Sequence, residues 1–191
     1  MTTMERMRAI LDSVAWLYQT HTWRGQVVKE GVRGTERRYL LRLDDIEGKA
    51  VLDLGCSTGA ESLWAMEKGA SLVCGVDRDS ESLRVLGELA AFVGYSARVR
   101  HSIQDLNRPI PEFLKQQWET VFCFSLVHHL GYRRVWNEVE SAKVVYVEMP
   151  AEARCSDEWF EEGGWMVERL GDVPSNREDQ TSRRPLWRLS R

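Results

Sequence analysis

The chain has 191 residues and a formal net charge of −3, from 26 Lys and Arg against 29 Asp and Glu. That length suits one domain with a full core and leaves little for a separate substrate domain, and the acidic balance does not favour a large nucleic-acid footprint. With 43% hydrophobic and 29% charged residues it reads as an ordinary globular chain; it lacks an apolar run long enough to span a bilayer, and its polar start from Met1 to Arg8 argues against a secretory signal.

Residues 4–19 carry Met7, Ile10, Leu11, Val14, Leu17 and Tyr18 at helical spacing, which predicts an opening helix. His21 to Gly25 break the pattern. A second helix is expected over residues 34–43, leading into a sheet, with Gly48 and Lys49 as the turn before its first strand. Residues 1–45 thus form an N-terminal helical flank or lid, in which Tyr18, His21, Trp23 and Arg33 could cover a ligand, and residues 46–191 form the main domain. The simpler reading of those aromatics is that they pack the flank onto the sheet.

Ala50 to Glu61 is the stretch around which the rest is organised. Val51, Leu52 and Leu54 read as a buried parallel strand, and Gly55 and Gly59 mark a tight turn or a close approach. Thr58 followed by Glu61 predicts a capping box opening a helix. Strand, glycine turn and helix start together suit a nucleotide-like ligand at the carboxyl edge of a parallel sheet. A dinucleotide fingerprint would place further glycines where this chain has Ser57 and Ala60.

A second strand, Ser71 to Val76, ends at Asp77, placed to accept hydrogen bonds from ribose hydroxyls. A helix over residues 80–94 follows, with Leu83, Leu86, Leu89, Ala90 and Val93 on one stripe. Ala97 to Ile103 alternates as a third strand nearer an edge and runs into Gln104, Asp105 and Leu106. Thr120 to Phe124 is a fourth, buried strand leading to Ser125, His128 and His129; Ala142 to Val147 is a fifth, delivering Glu148. An imidazole, with an ordinary pKa near 6.5, suits proton removal around neutrality. No carboxylate stands at metal-ligand spacing beside the histidines, so no metal site is expected.

Cys155 to Glu162 is expected as a short helix. Two strands follow, Trp165 to Leu170 and Leu186 to Leu189, joined by a mobile loop from Gly171 to Arg184. Arg177, Arg183 and Arg184, with Arg33, Arg37 and Arg38, could recognise a phosphate or carboxylate. Interspersed with acids, they read rather as a solvated face. The scattered cysteines Cys56, Cys74, Cys123 and Cys155 suit small buried thiols in a reducing compartment, and a cytoplasmic location is expected.

The ordered set Asp53/Gly55/Gly59, Asp77, Asp105 and Ser125 to His129 resembles the motifs of Rossmann-like S-adenosylmethionine-dependent methyltransferases, firmly over residues 45–150 and loosely over the last strands. The resemblance implies a doubly wound α/β fold, a mostly parallel seven-stranded sheet with helices on both faces and an antiparallel last strand. It implies S-adenosylmethionine as cofactor, held by Asp53, Gly55, Cys56, Gly59, Asp77, Arg78, Gln104, Asp105, Leu106 and Ser125. His129 and His128, in the segment that resembles the fourth motif, and Glu148, by its place at the same sheet edge, are the candidates for proton removal or substrate contact. The segment after the fourth strand lacks the Asn/Asp-Pro-Pro-Tyr/Phe signature of enzymes acting on exocyclic amines of bases, so a small-molecule acceptor is favoured. RNA or protein acceptors, or a non-catalytic cofactor-binding protein, are the alternatives. No membrane partner is expected, and the chain is read as a monomer or homodimer.

Overall fold

The computed structural model of the protein describes residues 1–109, 111, 118–131, 135, 139, 141–149, 158–161, 163–176 and 181–191. In chain order these form helix α1 (Thr3–Leu11), an antiparallel pair β1 (His21–Trp23) and β2 (Gln26–Lys29), and two 3-10 turns (Glu36–Tyr39 and Leu43–Asp45). The chain continues through β3 (Ala50–Leu54), α2 (Ala60–Glu67), β4 (Leu72–Asp77), α3 (Ser80–Phe92) and β5 (Val99–Ile103). The second half holds β6 (Thr120–Phe124), α4 (Val127–Leu130), β7 (Val144–Glu148), α5 (Glu158–Glu161), β8 (Met166–Pro174) and β9 (Arg183–Ser190).

The main sheet has seven strands in the order β5-β4-β3-β6-β7-β9-β8. Strands β3 to β7 run parallel, and β9 inserts antiparallel between β7 and β8. This is the α/β arrangement expected, with the alternating strand β5 at an edge. The chain winds outward from β3 through β4 to β5, then returns to β6 on the other flank of β3. Such a reversal opens a crevice at the carboxyl ends of the strands on either side.

Successive strand residues face opposite sides of the sheet, and the apolar residues divide accordingly. Val51, Val73, Phe122, Phe124 and Tyr146 join one core with Met7, Leu11, Leu63, Leu86 and Leu89 of helices α1 to α3. Leu52, Leu54, Val121, Cys123, Val145 and Val147 join the other, with Phe160, Trp187 and Leu189. A parallel sheet covered on both faces needs near-continuous apolar strands, as β6 and β7 have. Asp45 pins the approach to β3: it accepts from Arg188 Nε at 2.7 Å, from Arg188 Nη2 at 2.9 Å and from Tyr146 Oη at 2.5 Å. Among the described residues no helix is long and apolar enough to cross a membrane.

The N-terminal flank differs from expectation. Helix α1 stops at Leu11, where Asp12 caps it and Ser13 Oγ donates to the Ile10 carbonyl at 2.7 Å. The residues beyond pair in extended form with the segment after β2, Val32 N donating to Leu17 O at 3.1 Å and Arg33 N to Tyr18 O at 2.8 Å. The helix expected over residues 34–43 is two 3-10 turns, because Arg37 and Arg38 turn inward while Tyr39 stays exposed. The capping box is also absent at α2. Thr58 Oγ1 pairs with His21 Nε2 at 2.8 Å, Glu61 turns into the core, and Gly59 opens the helix in the left-handed region with φ +78°.

At the C-terminal end, Gly171 to Pro174 and Arg183 to Arg184 are paired strand rather than loop. Antiparallel pairing with β9 extends both strands toward the turn. Cys155, Arg177 and most of the expected helix from Cys155 to Glu162 lie outside the described residues, of which Glu158–Glu161 is helical. Cys56, Cys74 and Cys123 are free and buried, and burial pushes their thiols up, to about 11 for Cys74 and about 12 for Cys123.

Candidate active site

Three strand ends and the segment after α1 enclose one cavity of about 720 Å³, within the range of small-molecule sites. From β3 come Gly55 and Ser57; from β4, Asp77 and Arg78; from β6, Phe124, Ser125, Leu126 and His129. Trp16 and Tyr18 line it from the N-terminal segment, their rings 5.5 Å apart. A neighbouring cavity of about 390 Å³ shares Asp77, Arg78, Leu126 and His129 and adds Gln104, Asp105 and Leu106.

Local backbone geometry explains how the turn after β3 takes its shape. Gly55 (φ +70°) and Ser57 (φ +50°) both occupy the left-handed region, which costs little for glycine and strains serine. The strained turn is held by Asp77, whose Oδ2 accepts from Ser57 N at 2.8 Å while Oδ1 accepts from Asp79 N at 3.0 Å. Added at Gly55, a Cβ would meet Leu126 Cδ1 at 3.3 Å, so bare backbone faces the crevice there. Gly59 has another use: a Cβ on it would fall 2.3 Å from Leu86 Cδ1, so it serves the packing of α2 against α3.

The predicted cofactor set therefore separates. Gly55, Asp77, Arg78 and Ser125 line the larger cavity, and Gln104, Asp105 and Leu106 the smaller. Asp53, Cys56 and Gly59 are buried behind the turn. Asp53 accepts from Ser62 Oγ at 2.6 Å, and burial raises its carboxyl to about 7. Asp105 accepts from Asn107 N and Nδ2, each at 3.0 Å, and these bonds lower its pKa.

The catalytic candidates also part. His129 is exposed and lines both cavities. The side chain of His128 lies outside the described residues. Glu148 is fully buried under Ser125; its Oε1 accepts from Arg33 Nη2 and, at 3.1 Å, from Ser125 Oγ. Of the proposed lid residues, Tyr18 lines the cavity, His21 is buried against Thr58, and Trp23 packs on Tyr95 with ring centroids 6.0 Å apart. Arg33, Arg37 and Arg38 do not form a solvated face: all three are buried, because Glu61 and Glu148 stand inside the fold to receive them.

Ser57 escaped the sequence reading as a site residue, while Arg184 was read only as one of several arginines on a solvated face that could meet a phosphate or carboxylate. A non-glycine residue with positive φ has no sequence signature. Arg184 did carry a signal, since it precedes Leu186 and Arg188 by steps of two and so shares their face of β9, the face that packs inward.

The residues fit an adenosyl ligand with an amino-acid tail: a glycine-walled crevice continues into a second space reached by Asp77 and Asp105. Residues 51–143 match the methyltransferase domain family. Over 83 residues, 41% of this chain, the sequence is 35% identical to protein arginine N-methyltransferase 1 of Saccharomyces cerevisiae, and the match spans 24% of that protein. Among solved structures, the bifunctional kinase-methyltransferase WbdD superposes with a TM-score of 0.72 at 18% identity, covering 96% of this chain and 46% of that one. The N-terminal domain of EvdMO1, solved with S-adenosylhomocysteine and D-fucose, superposes at 0.71 with 14% identity, covering 100% and 97%. At such identities the superpositions speak for the fold alone. With the motif order, the strand order and the family match in agreement, residues 51–143 belong to a methyltransferase domain of the Rossmann-like, S-adenosylmethionine-dependent class.

Proposed function

We propose that the cleft binds S-adenosylmethionine and that the protein transfers its methyl group to an oxygen, nitrogen or carbon nucleophile of a small molecule. The observation that carries this reading is the shared cavity, where the glycine turn and Asp77 meet Ser125 and His129 across one space of about 720 Å³. In this reading Asp77 accepts from the ribose hydroxyls, Gln104, Asp105 and Leu106 border the adenine, and the backbone of Gly55 to Ser57 lies along the amino-acid tail. Bound there, the cofactor supplies a methyl group already activated by its sulfonium, so the chain's task is alignment and the exclusion of water. Trp16 and Tyr18 narrow the opening and supply apolar surface against an acceptor. Where the acceptor enters protonated, a ring nitrogen of His129 takes the proton at the cleft wall.

The test offers isotopically labelled cofactor to separate small-metabolite, RNA and protein pools. Label in the small-metabolite fraction is the expected result. Label confined to RNA or protein would overturn the acceptor class, and failure to bind S-adenosylmethionine would overturn the reading altogether.

A further inference from the structure

Beneath Ser125 lies a cluster of four arginines and two carboxylates. Arg33 Nη2 donates to Glu148 Oε1, Arg37 Nη1 stands 3.2 Å from Glu148 Oε2, and Arg184 Nη1 stands 4.0 Å from Glu148 Oε1. Arg38 Nε lies 2.8 Å from Glu61 Oε2, and Arg37 Nε lies 3.8 Å from Glu61 Oε1. Both carboxylates are fully buried, and Arg33 and Arg37 are 2% exposed. Within this cluster four guanidinium groups face the two carboxylates. Arg33 Nε, Arg37 Nη1 and Nη2 and Arg184 Nε are buried without a hydrogen-bond partner. The Arg37 contact with Glu148 is ionic rather than a directed hydrogen bond. Burial pulls Arg33 down to about 10, with Glu148 opposing and the crowding by Arg37 and Arg184 adding to it. Asp53 also feels Arg37, but its own carboxyl is held toward neutrality.

Buried donors without partners are costly, and each of these guanidiniums, though engaged elsewhere (Arg33 also donates to Ser175 O), keeps nitrogens free to donate to a ligand. The cluster reaches the cleft at one place. Arg184, with its side chain 19% exposed, donates from Nη1 to Ser125 Oγ at 2.9 Å, and Ser125 lines the cavity. Ser125 itself is held at φ +56°. Arg37 stays behind the wall, its guanidinium carbon 4.8 Å from the centroid of the Phe124 ring, whose residue also lines the cavity.

We propose that Arg184 receives an anionic group of the methyl acceptor, a carboxylate or a phosphate, at the Ser125 rim of the cleft, with Arg33 and Arg37 supplying field from behind it. The planar guanidinium fork matches both oxyanions. Arg33 and Arg37 act as positioning residues; Arg184 is the contact. The inference rests on the methyltransferase reading of the same cleft, and it names the acceptor's charge.

The experiment uses the full chain saturated with S-adenosylhomocysteine, and calorimetric titration with inorganic phosphate and with malonate at constant ionic strength. Wild type is expected to bind at least one of the two, and the one bound identifies the oxyanion. Arg184→Gln should weaken that binding at least tenfold and leave the affinity for S-adenosylhomocysteine within twofold, while Arg184→Lys recovers part of the loss. Circular dichroism establishes that each variant is folded. No anion binding by wild type, or equal binding by Arg184→Gln, overturns the inference and leaves the cofactor reading standing. Loss of S-adenosylhomocysteine affinity in Arg184→Gln overturns it by assigning the charge to the cofactor. Failure of wild type to bind S-adenosylhomocysteine removes the cleft reading and this inference with it.

Discussion

Arg38 donates from Nε to Glu61 Oε2 at 2.8 Å inside the core, tying the turn before the sheet to the first helix after the glycine turn. Its other nitrogens reach Thr22 Oγ1 at 2.7 Å, Ala60 O at 3.2 Å and Thr20 O at 3.3 Å. One guanidinium thus joins β1, the 3-10 turn and α2. Such a pair is weak proof of stability in itself, since desolvation offsets much of the attraction, but losing one partner leaves a buried charge unpaired.

Glu61→Gln is therefore expected to destabilise the protein by about 3–5 kcal/mol. Urea unfolding at pH 7 measures this. Replacing both partners, Arg38→Met with Glu61→Leu, should recover a good part of the loss. A single-variant cost under about 1 kcal/mol would show that the pair is not what holds the flank to α2.

Asp77 connects fold and ligand, because it both shapes the strained turn at Ser57 and lines both cavities. Asp77→Ala is expected to weaken binding of S-adenosylmethionine and S-adenosylhomocysteine by about 1–3 kcal/mol, the scale of hydrogen bonds to a charged group. Calorimetry reads it directly. Unchanged affinity would take Asp77 out of the cofactor site.

Two of the three candidates for proton removal, His129 and Glu148, make different predictions. His129 is exposed in the cleft, whereas Glu148 is buried and engaged by Arg33 and Ser125. If His129 takes the acceptor's proton, His129→Gln should lower turnover by roughly 10²–10⁴-fold with cofactor affinity little changed, and a limb of the pH–rate profile should vanish. Glu148→Gln should instead show itself in unfolding free energy, through the uncompensated Arg33 and Arg37. Near-normal turnover and an unaltered pH profile in His129→Gln would leave the imidazole without a catalytic part.

The sheet was legible because its signals are local. Short apolar runs, glycine turns and acids at strand ends are written in consecutive residues, so β3, β4 and β6 fall close to where the pattern places them. The flank was harder to read. Leu17 and Tyr18 continue a helical spacing from α1, yet their backbone pairs with Val32 and Arg33, a contact between segments that periodicity cannot register. Thr58 and Glu61 spell a capping box, but His21 and Arg38, distant in sequence, claim both side chains. The box that does form is Thr2 with Glu5, where no tertiary partner competes among the contacts of those exposed residues. The arginines were misjudged for the same reason. Charge reads as solvated unless its partner is known, and Glu148 lies 115 residues from Arg33.

Asp53 and His21, both buried near the glycine turn, should give the protein opposing pH dependences of stability. Burial raises Asp53 from its ordinary 3.8 to about 7, with Glu61 and Asp77 adding to it and Ser62 and Arg37 opposing. The folded state thus holds a proton that the unfolded chain has released, and the associated stability, full below about pH 3.8, is lost as pH rises toward about 7. Burial lowers His21 from 6.5 to about 3, helped by Arg38 and Lys29. There the unfolded chain holds the extra proton, so stability is full above about pH 6.5 and is lost as pH falls toward about 3. Each slope reaches up to about 1.4 kcal/mol per pH unit, and between about pH 4 and 6.5 they oppose each other. Asp53→Asn is expected to remove the falling slope, so that its stability relative to wild type grows with pH across that window. His21→Gln should do the reverse. Urea midpoints at intervals from pH 4 to 8 decide the matter: a variant curve parallel to wild type would show that its side chain titrates alike in the folded and unfolded chain.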